Sequence, residues 1–240
     1  MIEAFEEGYD ELTNGDVLFA AKKFNEAELL YPQSKWAPKA ALMAAYSYYS
    51  QDYYYDAEYE LKRFLKVYPN EKDIPHAHYL LGMVYYEKII DEKKDLGPLL
   101  MAEQKFKFIE KNYPNTDFAL DSSYKLDLIQ DYLASKEMYI GVHYMKKKKW
   151  IAAINRFKNV VNKYEKTSFI DEALHRLVEL HYNLGLIEES QKYASLLGYN
   201  YQSSEWYSKS YKIFNENYKT KLEIKKEKEG IFRRFKKLLY

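Results

Sequence analysis

The strongest constraint on the fold is a set of small and aromatic residues that returns along the chain at matching offsets. In the first copy Gly8 is followed by Ala20, Phe24, Ala27 and Pro32, with Asn14, Gly15 and Asp16 between them. Residues three and four apart share one helix face, so Ala20 and Ala27 flank Phe24 and let a second helix approach closely. Pro32 ends the second helix because it lacks an N–H and clashes with the preceding turn. The second copy carries Ala45, Ala57, Leu61, Phe64 and Pro69, and the third Gly82, Ala102, Phe106, Ile109 and Pro114. The fourth has Gly141, Ala153, Phe157 and Val160, with Glu165 where proline stood, and the weaker fifth has Val178, Gly185, Ser190, Ala194 and Leu197.

These offsets are those of tetratricopeptide repeats, and they predict an all-α, tetratricopeptide-repeat solenoid of five helical pairs with a C-terminal helical extension. Pro69 follows Pro32 by 37 residues and Pro114 follows Pro69 by 45; the excess falls in EKIIDEKKDLGPLL, where a turn absorbs an insertion more cheaply than a packed helix. Residues 115–140 contain neither Gly nor Pro, so a long helix is expected to join two halves. The expected divisions are 1–116 with three repeats, 117–207 with the joining helix and two repeats, and 208–240 as a basic extension. Eight glycines and six prolines among 240 residues agree with long helices.

The first helices of such repeats line the inner surface. In this register they place Phe5, Tyr9, Tyr46, Tyr49, Tyr79, Met83 and Tyr86 in one row, a candidate peptide groove whose rings offer apolar area and hydroxyl donors. The chain has 27 tyrosines, so ordinary packing accounts for the same residues equally simply. Inner positions of the second half, among them Met138, Val142, Met145, His175, Glu179 and Tyr182, are more mixed. Lys146, Lys147, Lys148 and Lys149 precede Trp150; they read either as a solvated turn or as a contact for an acidic protein. With Trp206 and Tyr207 they make up the candidate partner surface.

Charge separates along the chain although the net is only +1. Residues 1–34 carry −6 and residues 209–240 carry +7. The near-neutral total argues against a nucleic-acid binder. Ile231, Phe232, Phe235, Leu238 and Leu239 follow amphipathic helix spacing among Arg233, Arg234, Lys236 and Lys237, which suits a cap, a partner contact or an anionic membrane surface. No apolar run approaches the ~18 residues of a membrane span. The absence of Cys excludes disulfides, thiol catalysis and Cys-ligated metals. The five histidines lack metal-ligand spacing, and no phosphate loop or nucleophile elbow occurs. No catalytic, cofactor or metal residue is therefore expected, and the chain reads as a binding protein.

Three segments carry a closer resemblance: AAKKFNEAELLYPQSKWAPKAALMAAYSYYSQDYYYDAEYELKRFLKVYPNE, the join from AEQKFKFIEKNYPNTDFALDSSYKLDLIQDYLASKEMYIGVHYMKKKKW into α-helical IAAINRFKNVVNKYEKT, and NYQSSEWY at 200–207. Over about 1–215 the chain resembles the BamD family of outer-membrane β-barrel assembly lipoproteins. It departs from the family at Glu165, Gln202 and Glu205, where prolines are usual. The resemblance implies five repeats at the periplasmic face of the outer membrane, held there by a lipidated cysteine in the native precursor. That cysteine is absent here, so this chain is expected to start beyond it and to be soluble. It further implies a non-enzymatic scaffold of the BAM complex. Its implied partners are the periplasmic domains of the central barrel-assembly protein, unfolded outer-membrane barrel clients and auxiliary assembly lipoproteins. A generic tetratricopeptide adaptor or cell-division scaffold is the alternative.

Overall fold

The computed structural model describes residues 2–88 and 96–215. Among these are eleven α-helices and no strand. Ten of them form five successive pairs: α1 (Ile2–Asn14) with α2 (Val17–Leu30), α3 (Ala37–Tyr49) with α4 (Tyr54–Val67), α5 (Ile74–Glu87) with α6 (Gly97–Asn112), α7 (Asp117–Lys146) with α8 (Trp150–Lys163), and α9 (Ile170–Asn183) with α10 (Ile187–Asn200). The last, α11 (Glu205–Phe214), packs on α9 and α10. The long helix expected from the breaker-free stretch is α7, 30 residues in length. The central part of the insertion after Glu87, and the amphipathic pattern at 231–239, lie outside the described residues.

Each pair closes as the spacing dictates. Phe24, Phe106 and Phe157 are fully buried, and each ring lies against the glycine of the preceding helix. A methyl group added to Gly8, Gly82 or Gly141 would meet that ring at 3.0, 2.7 and 2.6 Å respectively. In the second pair Ala45 and Leu61, both fully buried, take these places. The fifth pair departs from the apolar scheme: buried Ser190 donates its hydroxyl to the Val178 carbonyl at 2.8 Å. That bond satisfies the one polar group the substitution introduces.

The turns repeat as faithfully as the cores. Gly15, Asp52, Lys148 and Gly185 all have positive φ, at 91°, 64°, 58° and 77°. At each, two amides close back on the preceding helix, as in Lys148 N–H to Met145 O and Lys149 N–H to Tyr144 O, both 2.9 Å. This is the paired bonding of a Schellman-type stop, which favours a left-handed residue. Asp52 and Lys148 adopt that conformation without being glycine, a strained choice for a side-chain-bearing residue.

Every second helix ends on a tyrosine: Tyr31, Tyr68, Tyr113, Tyr164 and Tyr201 have φ between −122° and −144° and ψ between 39° and 71°. Three precede proline; Tyr164 and Tyr201 do not. The absence of proline at 165 therefore leaves the turn unaltered. The Thr167 amide and hydroxyl both donate to the Tyr164 carbonyl, at 3.1 and 2.7 Å, and hold the turn shut.

The chain divides into two compact units, 1–129 and 130–240, with the division inside α7. In the first, Glu28 is buried and accepts from Arg63 Nη1 and Nη2 at 2.8 and 2.6 Å and from the Tyr68 hydroxyl at 2.8 Å. Arg63 Nε also donates to Glu60 at 2.7 Å. This network ties α2 to α4 across the repeat boundary. In the second unit the core gathers Ala134, Met138, Phe157, Val160, Leu177 and Leu180.

Candidate binding surfaces

In the first unit, the first-helix register sorts the expected groove residues into three groups. Phe5 is drawn into packing: its ring meets Phe24 at 5.2 Å and Trp36 at 5.4 Å, both edge-on. With Ile2, Glu6 and Trp36 it borders a notch of about 200 Å³. Tyr9 and Tyr46 stand open, with 58% and 40% of their surface exposed. Tyr49, Tyr79, Met83 and Tyr86 are half-buried.

The tyrosines on α3 and α5 form a connected cluster. Tyr49 lies within electrostatic reach of Tyr46, Asp52 and Glu87, and Tyr79 within reach of Tyr49. The Tyr49 ring is 6.2 Å from that of Tyr54, whose hydroxyl donates to Asp52 at 2.7 Å. Burial, reinforced by the Glu87 carboxylate, raises the Tyr49 and Tyr86 hydroxyls above the usual phenol range. Burial and the hydrogen bond to Asp121 raise Tyr79 as well. All three hydroxyls therefore stay protonated, that of Tyr79 already donated to Asp121.

The first turns of α7 complete this row, which the register did not foresee. Tyr79 donates to the Asp121 carboxylate and packs on Phe118 at 5.3 Å, and His76 stacks on Phe118 at 5.0 Å. Lys125 Nζ sits 5.1 Å from the Tyr86 ring centroid. The available signal was the spacing of Phe118, Asp121 and Lys125, which share a helix face, but the repeat register starts only near Met138.

In the second unit the candidate partner surface does not hold as one patch. Lys146–Lys149 are exposed at the turn between α7 and α8. Trp206 and Tyr207 instead fix α11 to the unit. The Trp206 ring lies 5.1 Å from the His175 ring, with the Arg176 guanidinium at 5.1 Å and Lys209 Nζ at 3.7 Å. Tyr207 packs against Gly198, where an added methyl would meet the ring at 2.9 Å. Ser204, beside Trp206, donates to Asp171 at 2.6 Å, which places Trp206 at the start of α9. The lysine turn lies at the start of α8, and α8 runs the ~21 Å of a 14-residue helix before the chain turns into α9. The lysines and Trp206 thus occupy opposite ends of the unit. The alternation of the helices decides this: α7 ends where α8 and α10 begin, and α10 ends at the opposite end, where α11 starts.

Of the mixed inner positions, His175, Glu179 and Tyr182 line a hollow of about 430 Å³ with Asn183, Lys212 and Ile213. His175 Nδ1 is 2.8 Å from the Ser210 hydroxyl. Burial, with Arg176 and Lys209 nearby, lowers its pKa to about 4. Asp131, four residues after Asp127, accepts the Ser168 amide at 3.1 Å and so braces the turn before α9. Among the described residues no three His, Asp or Glu converge as a metal-binding group, and no helix is long and apolar enough to cross a membrane.

Comparison with known proteins extends over most of the chain. The model of the YfiO family, described as outer membrane lipoprotein, matches residues 1–196. The outer membrane protein assembly factor BamD of Rickettsia prowazekii is 42% identical over 194 residues, covering 81% of this chain and 77% of that protein. BamD of Caulobacter vibrioides is 37% identical over 210 residues, covering 88% and 69%. BamD of Neisseria gonorrhoeae is 29% identical over 188 residues, covering 74% and 70%. With a family match across residues 1–196 and relatives of this similarity, the chain belongs to the YfiO family of outer membrane lipoproteins, the family of the BamD assembly factors.

Proposed function

We propose that this chain is a non-enzymatic scaffold of outer-membrane protein assembly, working at the periplasmic face of the outer membrane and lipid-anchored in its native precursor. Its first unit receives segments of unfolded barrel clients, and its second unit couples that recognition to the periplasmic domains of the central barrel-assembly protein, with auxiliary lipoproteins as further partners. The observation that carries the reading is the tyrosine row of the first unit. Tyr46 is open, Tyr49, Tyr79 and Tyr86 are half-buried with protonated hydroxyls, and Asp121 and Lys125 close one end. An unfolded barrel strand has unpaired backbone carbonyls and alternating apolar side chains. Tyrosines supply a donor and an apolar face to such a segment together. The lysine turn of the second unit is kept as a docking surface, whereas Trp206 and Tyr207 serve the fold.

The test is a peptide ending in alternating apolar residues and a terminal aromatic, titrated against the full chain. Binding in the micromolar range, about −8 kcal/mol, is expected. Tyr46→Ala combined with Tyr49→Phe, which removes the two hydroxyls left free to donate, should weaken it at least several-fold while leaving the circular dichroism spectrum unchanged. Chemical-shift changes confined to residues beyond 140, or normal binding by the folded double variant, would reject the groove.

A further inference from the structure

The second unit has an end whose turns run against the usual rule that turns expose polar residues. Met145 on α7, Ile154 on α8 and Leu180 on α9 share one apolar cluster. The turn from α7 to α8 and the turn from α9 to α10 therefore lie at the same end. Beyond that cluster both turns hold large apolar side chains outward. Ile151 is 67% exposed and Trp150 37%; on the other turn Leu186 is 46% exposed, and Leu184 and Ile187 are exposed as well.

At the end of α7 and in the turn after it stand Lys146–Lys149, all exposed and, among the described residues, without an ion-pair partner. The acids nearby are few. Glu188 is exposed, and Glu189 faces Lys192 at 3.6 Å. The end is thus net positive, with apolar groups at its edge. Recognition of a peptide as an added strand needs a sheet edge, and the described residues form no strand. Lysines flanking exposed Trp, Ile and Leu are instead the composition of an interfacial membrane contact, where the rings and branched chains enter the headgroup boundary and the ammonium groups meet anionic lipid.

We propose that this end of the second unit docks on an anionic lipid surface, a proposal that rests on reading the lysine turn as a docking surface. The assignment replaces the acidic protein face expected from the lysines alone. What changes the occupant is the outward apolar residues of the second turn, which lie more than thirty residues away in sequence.

Binding of the full chain to vesicles of phosphatidylcholine, with and without phosphatidylglycerol, tests this, with brominated acyl chains as quenchers of tryptophan. Anionic vesicles should bind the protein and quench its fluorescence, and Trp150→Phe should remove most of that quenching at equal bound fraction. Replacing Lys146–Lys149 by Gln should weaken vesicle binding tenfold or more, and Ile151→Ser with Leu186→Ser should weaken it without any change of charge. All these side chains are exposed, so circular dichroism should be unaltered. The basic segment near 231–239 is the same in every variant, so differences between variants report on this end. Bound protein whose Trp150 is unquenched, or a Gln variant with undiminished affinity, overturns the proposal. If the Gln variant binds vesicles normally but loses the periplasmic domains of the barrel-assembly protein, the docking surface stands and its occupant is protein. If neither binding changes, both readings fall.

Discussion

Gly141→Ala should destabilise the second unit even though alanine is the better helix former. A methyl group at 141 would lie 2.6 Å from Phe157 Cε1 and 2.8 Å from Cζ. Phe157 is fully buried among Met138, Val160, Leu177 and Leu180 and cannot swing away. Overpacking of this kind costs about 1–3 kcal/mol. Alanine in place of a mid-helix glycine returns about 1 kcal/mol, so the net loss is about 0–2 kcal/mol. Gly8 provides the contrast. There the methyl meets Phe24 at 3.0–3.2 Å, and that ring faces half-buried Phe5, which has room to shift by a few tenths of an ångström. Gly8→Ala is therefore expected to be neutral or stabilising by up to ~1 kcal/mol. Urea denaturation followed by circular dichroism reads both, provided the slope with denaturant stays constant. A cycle with Phe157→Leu should show coupling at 141, because a smaller side chain relieves the clash. A Gly141→Ala protein more stable than wild type, or an absence of coupling, would refute the ring-on-glycine account of the pairs.

Three further outcomes follow from the same contacts. Arg63→Met strips buried Glu28 of two charge-assisted bonds and should cost about 2–4 kcal/mol, less than a fully buried pair because Arg63 is partly exposed; adding Glu28→Gln should recover part of the loss in the same urea titration. His175 stays neutral in the fold down to a pKa of about 4, below its unfolded value, so the unfolded chain takes up the proton first. Stability from this residue is full above pH ~6.5 and is lost as pH falls toward 4, and His175→Asn should flatten that part of the melting-temperature profile. Glu165→Pro should stabilise by about 0.4–1 kcal/mol, because Tyr164 already has the backbone conformation of Tyr31, Tyr68 and Tyr113, each of which precedes proline; a lower melting temperature would show that the fourth turn is not equivalent to the others.

The parts of this fold legible in sequence are those decided within one helical pair. Gly8, Ala20 and Phe24 specify a contact between adjacent helices, and a spacing pattern suffices to find it. Proline was a dispensable mark of the helix end: Tyr164 and Tyr201 stop their helices without it through bonds from residues three positions on. The fifth pair was weak in sequence because Ser190 closes it with a hydroxyl, a role that apolar spacing does not encode. The candidate surfaces were less legible. The register puts Phe5 in the open groove, yet Trp36, on the loop before α3, draws it into an aromatic cluster. The lysines and Trp206 group together only by chemistry, as types suited to binding; the antiparallel alternation from α7 to α10 puts the lysine turn at one end of the unit and Trp206, just after α10, at the other.

The choice of tyrosine in the first unit has a physical reason beyond area. A phenylalanine row of the same extent would cover its own surface with a self-adhesive apolar patch, whereas exposed Tyr46 keeps its hydroxyl in water and the half-buried tyrosines carry a polar atom that breaks up the apolar area. Carboxylates beside the row strengthen this property. Glu87 and Asp121 disfavour ionisation of Tyr49 and Tyr79, so the hydroxyls donate and never repel an incoming carbonyl. Tyr79 already spends its proton on Asp121, which leaves Tyr46 and Tyr49 as the donors at the centre of the row and Lys125, over Tyr86, as the cation at its edge. A surface of this kind holds an extended segment through several contacts of modest strength, each of which can break without the rest. On the client reading proposed above, that is the affinity that would let a strand leave the row and pair elsewhere.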